Sequence, residues 1–354
     1  MQPANSELPP QQVKSRSVKC VVWDLDETLW RGILLEDRQV ALRPGVVAIV
    51  KALDERGILQ SIASRNDSDQ ALAQLRAFGL EEYFLCPQIN WNAKSASIQA
   101  IAQALNIGLE ALALIDDQAF ERDEVHSAYP QVLCLDVAEI ETLLGQPAFT
   151  PRFVTEDTRR RRLMVLSNLE REKAAVAFVG APAAFLSTLG MVLTIEPAVE
   201  SDLKRAEELT HRTNQLNTTG YTYDYDALSA LRRSPDHRLL IAGLDDNYGT
   251  YGRIGLALVE CQPGLWTLKL LLMSCRVMSR GVGSVLLTDI MRRAKAAGAR
   301  LRAEFIPNGR NRQILITYRF AGFREVQQLA ELSILEHALA DIPPDPAYVQ
   351  VLTR

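Results

Sequence analysis

The sequence predicts an α/β chain in two parts, a doubly wound parallel sheet followed by an α+β domain. Three observations predict it. Short apolar runs at 18–23, 58–63, 111–115 and 131–135 alternate with segments of helical period. The first three runs end in groups that can do chemistry: Asp24-Leu-Asp26, Ser64-Arg-Asn-Asp67 and Asp116-Asp117. After Gly145–Thr155, which holds two prolines, the pattern changes to longer strands and a glycine-rich turn.

Length and composition agree with two domains. The chain has 354 residues, 47% hydrophobic and 23% charged, enough for two independent cores. A net charge of -4 and a pI near 5.7 argue against a general nucleic-acid binder. The five cysteines, Cys20, Cys86, Cys134, Cys261 and Cys275, are scattered without a CxxC pair. That pattern indicates neither a zinc site nor a disulfide framework. No apolar stretch is long enough to span a bilayer, and the polar N-terminus has no signal-peptide core. The expectation is a cytoplasmic protein with no membrane and no nucleic-acid partner.

Taken in order, residues 1–17 are expected to form a flexible tail. Val18–Trp23 reads as a buried parallel strand presenting carboxylates at its end. Pro44 at the first helical position opens a helix through Leu53 that stops near Gly57. Ile58–Ala63 is the second strand, and Ser68–Phe78 is a helix closed by Gly79. Ala96–Leu105 is helical, and Ala111–Ile115 and Gln131–Leu135 are the third and fourth strands. This first domain spans 18–145. Neither the gap from Thr28 to Pro44 nor that from Ser64 to Lys94 has room for a large cap domain. Residues 146–180 form a linker and helical connection, with Arg159–Arg162 read as a solvated helix face. The second domain, 181–354, has strands near 239–244, 254–260, 266–274 and 301–306. Its turn Ser279-Arg280-Gly281-Val282-Gly283 leads into a helix ending near Gly298.

The strand-end residues suit phosphoryl transfer, which needs a nucleophile, an acid/base, a charge-neutralising metal and groups that hold phosphate. Asp24 and Asp26 are two apart, so the turn leaving the strand can bring both to one site. Asp24 is the expected nucleophile, forming an aspartyl phosphate. Asp26 is the expected acid/base. Ser64, Arg65, Asn66 and Lys94 are the expected phosphate-binding residues. Asp24, Asp26, Asp116 and Asp117 form an oxygen-only set that favours Mg²⁺.

Motif by motif, these residues resemble the haloacid-dehalogenase superfamily. Val21-Val-Trp-Asp24-Leu-Asp26-Glu-Thr28 matches its first signature, Ser64 its second, Lys94 its third and Ile115-Asp116-Asp117 its fourth. Over nearly everything after residue 17 the chain is similar to the FkbH family. The resemblance is carried by Asp24–Gly32, Ser64–Asp67, Ile89–Ser95, Ile115–Arg122, Thr213-Asn214-Gln215-Leu-Asn217-Thr218-Thr219 and Ser274-Cys275-Arg276-Val277. The resemblance implies a phosphatase domain without a large cap joined to a domain similar to the GNAT acetyltransferases. It implies a glyceryl transferase/phosphatase that takes 1,3-bisphosphoglycerate, loses phosphate and delivers a D-glyceryl thioester. The recipient is an acyl carrier protein with a phosphopantetheine arm, and the unit feeds methoxymalonyl-type extender units or glyceryl starters in polyketide biosynthesis.

The second half has its own physical reading. Arg280, Gly281 and Gly283 lie between a strand and a helix, where backbone N–H groups can cradle a pyrophosphate or a phosphopantetheine phosphate, and where a glycine turn can equally be a plain tight turn. Met278 stands where an acetyltransferase usually has Arg or Gln. Cys275 follows an apolar strand and adjoins Arg276, a cation that can raise its thiolate fraction. Read from the residues alone, Cys275 is a buried structural cysteine; what the resemblance adds is a thiol that can attack the acyl phosphate and carry the glyceryl group. Asn214, Gln215 and Asn217 can bind a polyhydroxy substrate, and such clusters also make ordinary turns. The expected function is acyl transfer coupled to dephosphorylation. The rivals are a Mg²⁺-dependent phosphatase of a small phosphorylated metabolite with a structural C-terminal domain, and a carrier-docking module.

Overall fold

The computed structural model describes residues 17–37, 39–213 and 216–354, apart from the side chains of Cys275 and Ser279. The expected N-terminal tail, all but Ser17, lies outside the described residues. The chain divides into two compact units, one ending at Arg162 and one beginning at Leu163. That division falls inside the expected connecting segment.

The first unit runs β1 (Cys20–Trp23), β2 (Trp30–Arg31), β3 (Ala41–Leu42), α1 (Val46–Glu55), β4 (Leu59–Ser64), α2 (Ser68–Ala77), β5 (Gln88–Ile89), α3 (Lys94–Ala104), β6 (Leu112–Asp116), α4 (Ala119–Ala128), β7 (Leu133–Asp136) and α5 (Glu156–Arg159). Five strands form one parallel sheet in the order β5-β4-β1-β6-β7. Strands β1, β4 and β6 are buried along their whole length, as central parallel strands must be when helices cover them. Helix α1 starts after Gly45, whose φ of 78° needs no Cβ, and buries Val46, Ile49, Val50 and Leu53 at helical spacing. Truncating Leu53 to Ala would cost about 2–5 kcal/mol through the cavity it leaves. Asp67 caps α2 by accepting from the Gln70 N–H. The insert between β1 and α1 is only the two-stranded β2–β3 ribbon, so no large cap intervenes there. This is the doubly wound α/β class expected from the sequence.

The arginine run corrects one expectation. Arg161 donates to the Gly57 carbonyl at 3.0 Å. Arg162 pairs with Asp54 at 3.0 Å, donates to the Glu82 carbonyl and stacks on Tyr83 at 4.8 Å. Two members of the run are thus tied to their own unit rather than solvated. Arg fits this role because one planar fork serves a carboxylate, a carbonyl and a ring.

From Arg161 the order is α6 (Arg161–Ala177), α7 (Pro182–Thr188), β8 (Met191–Pro197), α8 (Leu203–Arg212), α9 (Tyr225–Arg233), β9 (His237–Asp246), β10 (Gly249–Gln262), β11 (Leu265–Met273), α10 (Val282–Ala296), β12 (Arg300–Phe305), α11 (Arg312–Phe320), β13 (Arg324–Leu329), β14 (Leu332–His337) and β15 (Val349–Thr353). The second unit's strands form a mixed eight-stranded sheet, β13-β14-β12-β11-β10-β9-β8-β15, matching the expected α+β class. Helix α10 buries its apolar side on this sheet. Parallel strands β11 and β12 pair only from Leu265↔Arg300 to Leu268↔Ala303. Beyond that, residues 216–219 run between them. Thr218 N–H donates to the Leu271 carbonyl at 3.1 Å, Met273 N–H to Leu216 at 2.9 Å, and Ile306 N–H to Thr218 at 3.0 Å. A loop thereby satisfies backbone groups that the parting strands would leave orphaned.

Candidate active site

The sheet register builds the site. Trp23 pairs with Ile62 of β4 on one side and Ile115 of β6 on the other, so the next residue, Asp24, emerges level with Ala63 and Asp116. Successive strands run outward from β1 to β4 and β5, and then to β6 and β7 on the other side. The carboxyl ends of β1 and β6 therefore flank the point where strand order reverses, the place where open α/β sheets bind ligands. The Asp24 N–H donates to the Ile115 carbonyl at 2.9 Å and fixes the exit of β1.

At that point Lys94, the first residue of α3 and only 2% exposed, gathers three acids. Its Nζ lies 2.8 Å from Asp24 Oδ1, 2.8 Å from Asp116 Oδ2 and 2.6 Å from Glu121 Oε2, and donates to the Ala63 carbonyl at 2.9 Å. Burial pushes Asp24 up to about 7, with Lys94 pulling it down and Asp116 pushing it further up. Burial raises Asp116 as well. Burial opposes the charge of Lys94, but the surrounding Asp24, Asp116 and Glu121 hold it protonated well above its ordinary range. The Ser64 hydroxyl hydrogen-bonds Asp24.

Asp26 is held separately. Its carboxylate accepts from Trp30 Nε1 at 2.7 Å, from the Leu34 N–H at 3.1 Å and from Asn66 Nδ2 at 2.9 Å. The loop after β4 thus grips both acids of the first motif, Ser64 on Asp24 and Asn66 on Asp26. The chain turns just after Asp26 at Glu27, whose φ of 49° lies in the left-handed region. That turn is secured by Glu27 Oε1 accepting the Gly32 N–H at 2.7 Å and by Arg43 on the Glu27 carbonyl. Arg65, expected on phosphate, pairs with Glu121 at 3.2 Å and is partly exposed. Asp117 bonds with Thr28, while Arg122 donates to the Asp116 and Asp117 carbonyls at 2.7 and 2.9 Å.

Asp24, Asp116 and Glu121 are buried and each offers a carboxylate oxygen within 4.8 Å of the others. Three carboxylates around one ammonium leave excess negative charge in a buried space, and the donors are hard oxygens. That set fits Mg²⁺. The structure does not bring the Asp26 and Asp117 carboxylates into this cluster, because Asn66, Trp30 and Thr28 hold them. Glu121 was not among the expected residues. The signal for it is an acid in the first turn of the helix that follows a strand ending in Asp116-Asp117.

In the second unit, Gly281 caps α10 at φ 72° and sits against Tyr348 where a Cβ would collide. Gly281 and Gly283 line a cavity of about 160 Å³ together with Leu216, Met273, Met278 and Ile314. Arg280 is buried. The Arg276 guanidinium meets Met164 Sδ at 3.0 Å and Ser274 Oγ at 3.3 Å. Asn217 closes a turn, its Oδ1 accepting from the N–H groups of Thr219 and Gly220 at 3.2 and 2.8 Å. Its amide is spent on the chain itself. Asn214, Gln215 and the Cys275 side chain lie outside the described residues.

No family model and no curated protein matches the chain. Among solved structures, it is similar to the N-terminal part of a Bacteroides fragilis protein containing a phosphatase domain complexed with Mg, at 26% identity and a TM-score of 0.35. That match covers 38% of this chain and 41% of the other, less than half its length. The ribosomal-protein-S18-alanine N-acetyltransferase of Escherichia coli is similar at 16% identity and a TM-score of 0.34, over 43% of this chain and 97% of that one. Spermidine N-acetyltransferase of Vibrio cholerae, solved with CoA and spermine, is similar at 15% identity and a TM-score of 0.33, over 41% and 92%. Among the described residues, no helix is long and apolar enough to cross a membrane.

Proposed function

We propose that the protein is a glyceryl transferase/phosphatase of the FkbH type. It takes 1,3-bisphosphoglycerate and loads a D-glyceryl unit onto the phosphopantetheine thiol of an acyl carrier protein. The observation that supports this best is Asp24, buried at the carboxyl end of β1 and 2.8 Å from Lys94.

In this reading the Cys275 thiol attacks the acyl carbon, gives up its proton, forms an enzyme thioester and expels the first phosphate, and the carrier's phosphopantetheine thiol then attacks that thioester and frees Cys275. Cys275 is the proposed enzyme thiol, with Arg276, Arg280, Gly281, Gly283, Asn214, Gln215 and Asn217 as the carrier- and substrate-binding residues. Asp24 then attacks the phosphorus of the remaining monoester, and Asp26 protonates the departing glyceryl oxygen. Asp26 next takes a proton from water, which releases phosphate from Asp24. Ser64, Arg65, Asn66 and Lys94 hold the phosphoryl oxygens. Mg²⁺, held by Asp24 and Asp116 with the neighbouring Glu121, would neutralise charge on the phosphoryl group, and Asp26 and Asp117 would have to leave Trp30, Asn66 and Thr28 to join them.

A second reading is a Mg²⁺-dependent phosphatase of a small phosphorylated metabolite whose C-terminal unit is structural or docks a carrier. The residues 216–219 stitched between β11 and β12, with Asn217 spent internally, favour it. Intact-protein mass spectrometry after incubation with 1,3-bisphosphoglycerate, with and without holo carrier protein, separates the two. A glyceryl-loaded carrier is expected, and free glycerate with an unmodified carrier supports the second reading. If Cys275→Ser folds and loads at the wild-type rate, the carrier thiol attacks directly.

A further inference from the structure

We propose that Glu124 is a positioning residue that holds Lys94 in the phosphotransfer site; this rests on the phosphotransfer reading above. Helix α3 begins without a cap of its own. Ala93 at its N-cap makes no side-chain hydrogen bond, and its first turn has no acid. The orphan N–H groups of a helix start need an acceptor. Here the acceptor comes from another helix. Glu124 of α4 accepts the Lys94 N–H on Oε2 at 2.9 Å, and the Ser95 N–H on Oε1 at 3.2 Å together with the Ser95 hydroxyl. Burial raises the Glu124 carboxyl, but the Ser95 hydroxyl and these N–H donors outweigh it and hold the group below its ordinary range.

Glu121 and Glu124 are three residues apart, on one face of α4. Glu121 takes the ammonium end of Lys94 at 2.6 Å, and Glu124 takes its backbone N–H. One helix thus grips both ends of a side chain with four rotatable bonds. Lysine offers a point charge on a flexible stem, so anchoring the root as well as the tip is what fixes the tip between Asp24 and Asp116.

The test uses the full chain, Mg²⁺ and p-nitrophenyl phosphate as probe. Glu124→Ala is expected to lower kcat about 10²-fold with KM within about twofold, the scale of an ångström misplacement of a reacting group. Adding Ala93→Asp gives α3 its own cap. That double variant is expected to regain thermal stability but not kcat, because the new cap does not tie α3 to α4. If it regains both, Glu124 is only a cap and the inference is overturned. A crystal structure of the double variant decides the geometry independently of turnover. Nζ displaced from Asp24 supports the inference, and Nζ still 2.8 Å from Asp24 and Asp116 overturns it. Wild-type protein that is no faster than Asp24→Asn would instead sink the phosphotransfer reading.

Discussion

Thr28 and Asp117 exchange two hydrogen bonds: the Thr28 hydroxyl donates to Asp117 Oδ1 at 3.1 Å and accepts from the Asp117 N–H at 3.0 Å. The pair ties the turn after β1 to the end of β6. Thr28 is fully buried, so Thr28→Val keeps the shape while stranding both partners. Urea unfolding should show a loss of about 1–3 kcal/mol. An unchanged midpoint would mean the pair is not a structural tie.

Asp24→Asn should abolish phosphate release from a monoester such as p-nitrophenyl phosphate, since an amide cannot form the aspartyl phosphate. Enzymes accelerate phosphate-monoester hydrolysis by up to about 10²¹, so no background hides the loss. Asp26→Asn should cost about 10²–10⁴ in kcat, the scale of a general acid/base. Release of monoester phosphate by Asp24→Asn near the wild-type rate refutes the nucleophile.

The Asp24 carboxyl, pushed by burial from its ordinary 3.8 up to about 7, links metal to pH. Between those values the folded state binds more protons than the unfolded state, so this group makes the metal-free protein less stable as pH rises from about 4 to about 7. A cation competes with that proton. The rise in Tm on adding Mg²⁺ should therefore be small at pH 5 and larger at pH 8, and EDTA should remove it. A larger rise at pH 5 contradicts the assignment.

Asn311 should be a sensitive polar side chain of the second unit. It is 1% exposed, and its Nδ2 donates to the carbonyls of Ile306 and Asn217 at 2.8 and 3.0 Å. Asn311→Ala leaves those buried acceptors without their donor, at a cost of about 1–3 kcal/mol. Hydrogen exchange at the Leu271 and Met273 amides should accelerate in the variant. Unchanged protection there would show that residues 216–219 hold without it.

Much of the first unit was legible because its signals are local. Apolar runs ending in Asp24, Ser64 and Asp116 mark strand ends, and the expected parallel order brings those ends together. Lys94 was legible from its place before a helix. Glu121 was not, because between Phe120 and Arg122 it reads as a surface acid until the helix turns it toward Lys94. The inward roles of Arg161 and Arg162 depend on partners about 80 to 108 residues away, Gly57, Asp54 and Glu82, and composition carries no trace of them. The run 216–219 escaped for the same reason. Its hydrogen-bond partners lie on strands far along the chain, and its own residues look like a turn.

Tryptophan exposure gives the first unit an optical handle. Trp23 and Trp30 are fully buried and Trp266 is 6% exposed, whereas Trp91 is 68% exposed. Trp91 follows β5 and precedes Lys94 by three residues, which places it on the carboxyl side of the sheet. Its emission is therefore the red-shifted, iodide-quenchable component of the intrinsic fluorescence. A molecule that settles against the segment between β5 and α3 shields that one indole, so its occupancy can be titrated by quenching without a label and without turnover.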